Sequence, residues 1–225
     1  MRYFFSTGEP SGELVAVALA REIRVFDPEA SFEGIGSSRM AAGGFSIWRD
    51  NHGWASVGPV AAMPRIPKLL GAMWRAAAHI AKTGPDVVVL IDFGAFNLRL
   101  AKELRAKHHY EGPILDCFPP GAWLESEKAA RAVSSLAVPL TAFRRQYDFY
   151  KRLQLPIAYF GHPLAANYRL RPARPAPPDD GGRVALLPGS RSGEIARHLP
   201  RLIEAYRLLR ARRPNLGGTV GAADD

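Results

Sequence analysis

Two residues in this chain have the type and setting for chemistry: an aspartate able to accept a proton and an arginine able to grip a phosphate. In LIDFGAFN, Leu90 to Asn97, Asp92 follows an apolar run directly. Partial desolvation there raises a carboxylate's proton affinity and suits it to act as a base, although an aspartate can equally cap a helix starting near Ala95. In LLPGSRSGEI, Leu186 to Ile195, a Pro-Gly turn leads from an apolar run into a helical pattern. The free N–H groups around Ser190 to Gly193 would face outward as an anion site, and the planar guanidinium of Arg191 could hold a phosphate bidentately. The plainer alternative is a βα turn with a surface arginine.

Two further stretches sit at equivalent places. STGEPSGE, Ser6 to Glu13, ends the first apolar run; Gly8 and Gly12 allow close approach of backbone to a ligand, Ser11 is expected to cap a helix starting near Gly12, and Glu9 is expected to face the crevice. On the alternative reading Ser11 is only a cap and Glu13 only a favourable first-turn charge. FGHPL, Phe160 to Leu164, places His162 after another run, where a histidine before proline also serves as a plain turn residue. The segment around Glu9 has neither GxGxxG spacing nor a Walker lysine. No set of side chains has metal-ligand spacing, so neither a metal nor a cofactor is expected.

The elements that must carry these residues alternate. Apolar runs span Arg2 to Ser6, Phe32 to Gly36, Asp86 to Asp92, Pro113 to Phe118, Leu136 to Thr141, Ile157 to Gly161 and Arg183 to Leu187. Helical periodicity fills 12–26, 67–82, 96–108, 125–134, 142–153 and 193–213. DVVVLID is apolar throughout, as a strand covered on both faces must be. The pattern predicts an α/β fold with a doubly wound, mainly parallel sheet, in which ligands bind at the carboxyl ends of the strands. The expected organisation is a first domain over 1–169, a proline-rich linker over 170–182, and a second domain begun over 183–225 with a further strand at Gly218 to Ala222.

With 225 residues, 47% of them hydrophobic, the chain can bury a sizeable core. A net charge of +9 favours an anionic partner: nucleic acid, a phospholipid surface or a phosphorylated substrate. Cys117, the single cysteine, excludes an internal disulfide and fits a reducing compartment. No signal-peptide core and no apolar stretch near the ~20 residues of a membrane span is evident, so a cytoplasmic protein is expected. Residues 54–82 interleave Trp54, Met63, Ile66, Met73 and Trp74 with Arg65, Lys68, Arg75 and Lys82. Such a basic amphipathic helix can lie in a lipid interface or turn its apolar side to a core. No nucleic-acid module is recognisable, and nucleic acid is not expected as a partner.

In order and spacing these stretches resemble the lipid-A-disaccharide synthases, glycosyltransferases of the two-Rossmann GT-B type. TGEPSGE is similar to the family's AGExSGD, GIGSSRM with Gly43 and Gly44 to its GxGxxxM segment, and LIDFGAFNL to its IDxPDFN. FGHPLA matches GHPLAD, and LLPGSRSGEI matches LLPGSRxxEI. The resemblance runs over essentially the whole chain, with only the opening strand and helix of the second domain present.

The resemblance implies inverting transfer of an acylated glucosamine from a UDP sugar to a lipid monosaccharide phosphate, without cofactor or metal, on the cytoplasmic face of the inner membrane. It implies Asp92 as the base and Arg191 as the group that meets the leaving diphosphate. Glu9, Ser11, Gly12, Asn97, Trp123, His162, Gly189 and Ser190 are implied as further binding positions. The motifs depart from the family at Ala95 and Ala166, where it carries aspartates, at Glu13, where it has aspartate, and in FPPGAWLE, which replaces its SPSVWAW. Two other readings stay open: a non-catalytic lipid- or sugar-binding remnant, and another GT-B enzyme such as a UDP-N-acetylglucosamine epimerase. The oligomeric state is not legible.

Overall fold

The apolar runs become parallel strands, and the order in which they pair fixes where a ligand can bind. The computed structural model describes residues 1–54, 66–120, 125–162, 182–190 and 192–221. The chain divides into two units, Met1–Arg171 and Pro172–Asp225. In the first, β1 (Arg2–Thr7), β2 (Ser31–Gly36), β3 (Ser46–Asp50), β4 (Val87–Ile91), β5 (Ile114–Cys117), β6 (Val138–Thr141) and β7 (Ala158–Tyr159) form one sheet in the order β3-β2-β1-β4-β5-β6-β7. Every neighbouring pair is parallel, as the βα alternation predicts.

The helices are α1 (Pro10–Phe26), α2 (Ser38–Ala42), α3 (Ile66–Thr83), α4 (Gly94–Lys107), α5 (Glu127–Ser134) and α6 (Arg144–Arg152). From β1 the chain winds outward to β2 and β3, then returns to place β4 on the other side of β1. Right-handed crossovers put helices of the two windings on opposite faces. Ala16 and Ala20 of α1 and Met40 of α2 accordingly pack with Phe5, Phe32, Val89 and Ile91. Ala72, Ala76 and Ile80 of α3 and Leu100 and Leu104 of α4 pack with Phe4, Ile35, Val88 and Leu90. All five residues of β4 are buried, which is why its sequence shows no alternation.

Two elements were not legible as periodic runs. α2 is only five residues long, shorter than a helical window, and is started by Ser37, whose Oγ accepts the Arg39 N–H. β3 is an edge strand with mixed composition, and its register slips between Gly34 and Ile35, so that Gly34 faces Ile47 but Ile35 faces Arg49. Trp48, at the slip, stacks on His79 with centroids 4.8 Å apart. The sequence also overextends the seventh strand: only Ala158 and Tyr159 pair with β6.

In the second unit β8 (Arg183–Leu186), α7 (Ser192–Arg212) and β9 (Gly217–Val220) form one parallel βαβ, and β9 confirms the strand expected near Gly218. Tyr206 of α7 donates its hydroxyl to the Leu216 carbonyl at 2.9 Å.

The closeness of β1 and β2 leaves no room at Gly34, where an added Cβ would lie 2.3 Å from the Phe5 carbonyl oxygen. Backbone in a central strand cannot yield as a side chain can. Gly34→Ala is therefore expected to destabilise the chain by roughly 3 kcal/mol, read as a fall in the urea midpoint; a midpoint within error of the parent would show that the strands can separate there.

Candidate functional site

The reversal of winding between β1 and β4 opens a crevice at their carboxyl ends, the place where open α/β sheets bind ligands. Two loops form its floor and walls: Gly8–Glu9 after β1 and Asp92–Phe93 after β4. They touch, since a Cβ on Gly8 would fall 2.2 Å from the Phe93 ring. Glycine at position 8 is what lets the Phe93 side chain cover the first loop.

Asp92 and Phe93 both have φ of +52°, a left-handed conformation that costs a non-glycine residue about 1–3 kcal/mol. Several groups hold them there. The Asp92 N–H donates to the Cys117 carbonyl at 3.0 Å, and the Phe93 N–H donates to Asp92 Oδ1 at 2.9 Å. Asn97 Nδ2 donates to the Asp92 carbonyl at 2.6 Å, while Asn97 Oδ1 accepts from Ser6 Oγ at 2.7 Å. The Phe93 ring packs against Trp54 and Phe96. Asp92 is thus half-buried at the crevice, one residue outside the N-cap of α4, a position that Phe93 occupies. Asn97, read from the sequence as a substrate contact, is fully buried beneath the crevice; it holds the turn that carries Asp92.

The first loop differs from expectation at Ser11. Helix α1 starts at Pro10, whose fixed φ and missing N–H suit the first helical position, so Glu9 takes the N-cap place in extended conformation. Ser11 is an exposed first-turn residue and does not cap. Glu9 is half-buried, and its carbonyl accepts the N–H groups of Gly12 and Glu13 at 3.0 and 3.2 Å. Gly12 is buried, with the position of its missing Cβ 3.5 Å from Ile91. Glu13 is more than a first-turn charge. Only 2% exposed, it accepts from Ser37 Oγ at 2.5 Å and from Asn51 Nδ2 at 2.8 Å, joining α1 to the ends of β2 and β3.

Asp116, on β5, is a carboxylate that sequence reasoning passed over because it lies inside an apolar run. It is 2% exposed, and its Oδ1 has no hydrogen-bond partner. Burial, and then the charge of Asp92, pushes its pKa up to about 7. Its own charge adds to the burial that pushes the Cys117 thiol and the Tyr150 hydroxyl each up to about 12. A composition signal existed: an aspartate in the middle of ILDC has no solvent-facing explanation on a central strand.

His162 follows β7 and is exposed, with its ring 6.3 Å from Phe118 and 5.9 Å from Phe143, at the carboxyl ends of the neighbouring strands. In the second unit, Gly189 has φ of +119° and Ser190 is exposed. The Ser190 N–H donates to Glu194 Oε2 at 3.4 Å, so the carboxylate of the helix's own first turn stands at the expected anion position. Arg191, Trp123, Ala166, Met63 and Arg65 lie outside the described residues. Among the described residues no cluster of histidine, cysteine and carboxylates could hold a metal.

A family model described as lipid-A-disaccharide synthetase matches residues 3–224. The lipid-A-disaccharide synthase of Bordetella avium (strain 197N) is 36% identical over 219 residues, covering 93% of this chain and 54% of that protein. That of Hahella chejuensis (strain KCTC 2396) is 33% identical over 229 residues, covering 96% and 56%. The chain spans about half the length of the curated relatives it matches. Among solved structures, a UDP-N-acetylglucosamine 2-epimerase superposes with a TM-score of 0.60 at 11% identity, over 97% of this chain and 62% of that one. The lipopolysaccharide outer core galactosyltransferase WaaB superposes with a TM-score of 0.55 at 12% identity, over 100% and 69%. At such identities the structures establish the Rossmann-like GT-B fold.

The buried Asp116 has a consequence for stability. Its folded-state pKa, about 7, lies above its ordinary value of 3.8, so the folded chain holds this proton more tightly than the unfolded one. The resulting stabilisation is complete below pH 3.8 and is lost as pH rises to about 7, an effect of up to roughly 4 kcal/mol. Urea melts from pH 4.5 to 8 should show the parent losing stability relative to Asp116→Asn as pH rises; parallel profiles would place the ionised carboxylate in water.

Proposed function

The chain belongs to the lipid-A-disaccharide synthetase family, and from that premise we propose that the complete protein is an inverting glycosyltransferase. It moves an acylated glucosamine from a UDP sugar to the hydroxyl of a lipid monosaccharide phosphate, forming a β-1,6 bond. In this reading residues 1–169 bind the acceptor, 170–182 link the domains, and 183–225 open the domain that holds the UDP sugar.

One observation carries the proposal: Asp92 sits on a strained, multiply tethered turn at the reversal point of the sheet, against the Glu9 loop. Strain of this kind persists where the surrounding structure imposes it, and it is concentrated at functional sites. Asp92 takes the proton from the acceptor hydroxyl as that oxygen attacks the anomeric carbon and the bond to the diphosphate breaks. Arg191 and the N–H groups of the turn before α7 meet the charge on the departing UDP. Glu194 would release the Ser190 N–H as the diphosphate arrives. Glu9 and His162 line the acceptor side.

The lipid substrate requires access to a membrane, and α3 supplies a surface for it at the cytoplasmic face of the inner membrane. Its buried side, Ala72, Met73, Ala76, Ala77 and Ile80, belongs to the core, and Trp54 is also buried, so these residues do not face lipid. Trp74 and Ile66 are exposed, together with Lys68, Arg75 and Lys82. An aromatic and an aliphatic side chain set among cations is suited to an anionic interface. Among the described residues no helix is long and apolar enough to cross a membrane.

In the complete protein, Asp92→Asn should lower turnover by at least a hundredfold with donor affinity little changed, measured with radiolabelled lipid monosaccharide and UDP-diacylglucosamine; turnover near the parent's would remove Asp92 as base. Trp74→Ala combined with Arg75→Glu should shift the protein from pellet to supernatant when it is sedimented with anionic vesicles, and equal pelleting of parent and variant would remove α3 as the docking surface.

A further inference from the structure

Asp92 is not the sole carboxylate at this end of the sheet, and Asp116 has no assigned task. Asp116 lies two residues beyond Ile114 on β5, so it faces the same layer as Ile114 and as its register partner Leu90. It is tied to Asp92 through backbone: the carbonyl of the next residue, Cys117, accepts the Asp92 N–H at 3.0 Å. Asp92 also supplies the neighbouring charge that acts on Asp116.

The two carboxyl groups live in unequal surroundings. Asp92 is half-buried and its Oδ1 accepts an N–H, which favours the ionised form. Asp116 is buried with one oxygen unpartnered, which favours the neutral acid. Among the described residues, the titratable groups in its field besides Asp92 are Cys117 on β5 and Tyr150 on α6, which are themselves held neutral and bring no compensating positive charge. The arginines of α5 and α6 are turned outward, where Arg131 pairs with Glu127 and Arg144 with Asp148. On α4, Arg99 and Lys102 are exposed, and Arg105 donates to the carbonyls of Leu136, Tyr110 and Gly112.

We propose that Asp116 is a positioning residue for Asp92: the pair carries a single negative charge, with Asp116 keeping its proton while Asp92 is ionised. When pH rises and Asp116 loses that proton, a second negative charge beside Asp92 increases the affinity of Asp92 for a proton and makes it a stronger base. The catalytic consequence rests on the reading of Asp92 as the base; the coupling of the two groups does not.

Two measurements separate these layers. In the chain as it stands, a carbon-13 titration of the Asp116 carboxyl should give a midpoint near neutrality, and Asp92→Asn should raise the acid dissociation constant of Asp116 at least threefold. An unchanged constant overturns the coupling. In the complete protein, kcat should rise about threefold between pH 6 and 8 with KM steady; Asp116→Asn should flatten the rise and Asp116→Glu should restore a pH-dependent one. A purely structural role would lower kcat equally at every pH and leave the slope, which overturns the positioning role. Should the coupling appear while Asp92→Asn retains turnover, the base assignment falls and the paired carboxyls stand.

Discussion

The constraint on which the site depends is the left-handed turn at Asp92 and Phe93. A parallel sheet can leave its strand ends anywhere in a crevice, but here two consecutive non-glycine residues are held at positive φ directly after the most buried strand. That conformation is costly in isolation, so neighbours must fix it: Cys117 from β5, Ser6 from β1 acting through Asn97, and the aromatic contacts around Phe93. These groups come from strands on both sides of β4, which exist as neighbours only because the winding reverses between β1 and β4. Topology, strain and the placing of one carboxylate are therefore a single arrangement. Gly8 completes it, since any Cβ there would displace the Phe93 ring that covers the first loop.

How far the sequence announces this depends on how local the determining physics is. The continuous apolar run of β4 and the alternation of strands with helices are local, and they suffice for the doubly wound sheet and for the prominence of Asp92. The short α2 and the slipped edge strand β3 have no period long enough to detect. Ser11 looks like a cap because serine favours that role, yet Pro10 fits the first helical position better and moves the boundary back. Glu13 reads as a surface charge until Ser37 and Asn51, 24 and 38 residues away, are brought to its oxygens. Asn97 likewise reads as a contact residue until the register of β1 and β4 puts Ser6 against it. Long-range pairing decided the roles of Glu13 and Asn97, and single residues carry no mark of it.

Three of the carboxylates near the crevice, Glu13, Asp92 and Asp116, show how burial and partners divide roles among like groups. Glu13 is as buried as Asp116, yet both of its oxygens accept hydrogen bonds, so it acts as a strut between α1 and the ends of β2 and β3. Asp92 is half-buried and accepts an N–H from its own turn. Asp116 has burial without full hydrogen bonding, a combination that a carboxylate tolerates best when it is neutral. Replacing Asp116 with an apolar residue of similar size would relieve that unpartnered oxygen and favour the fold. The charge that reaches it comes from Asp92, so the acid form that burial favours is reinforced by its neighbour.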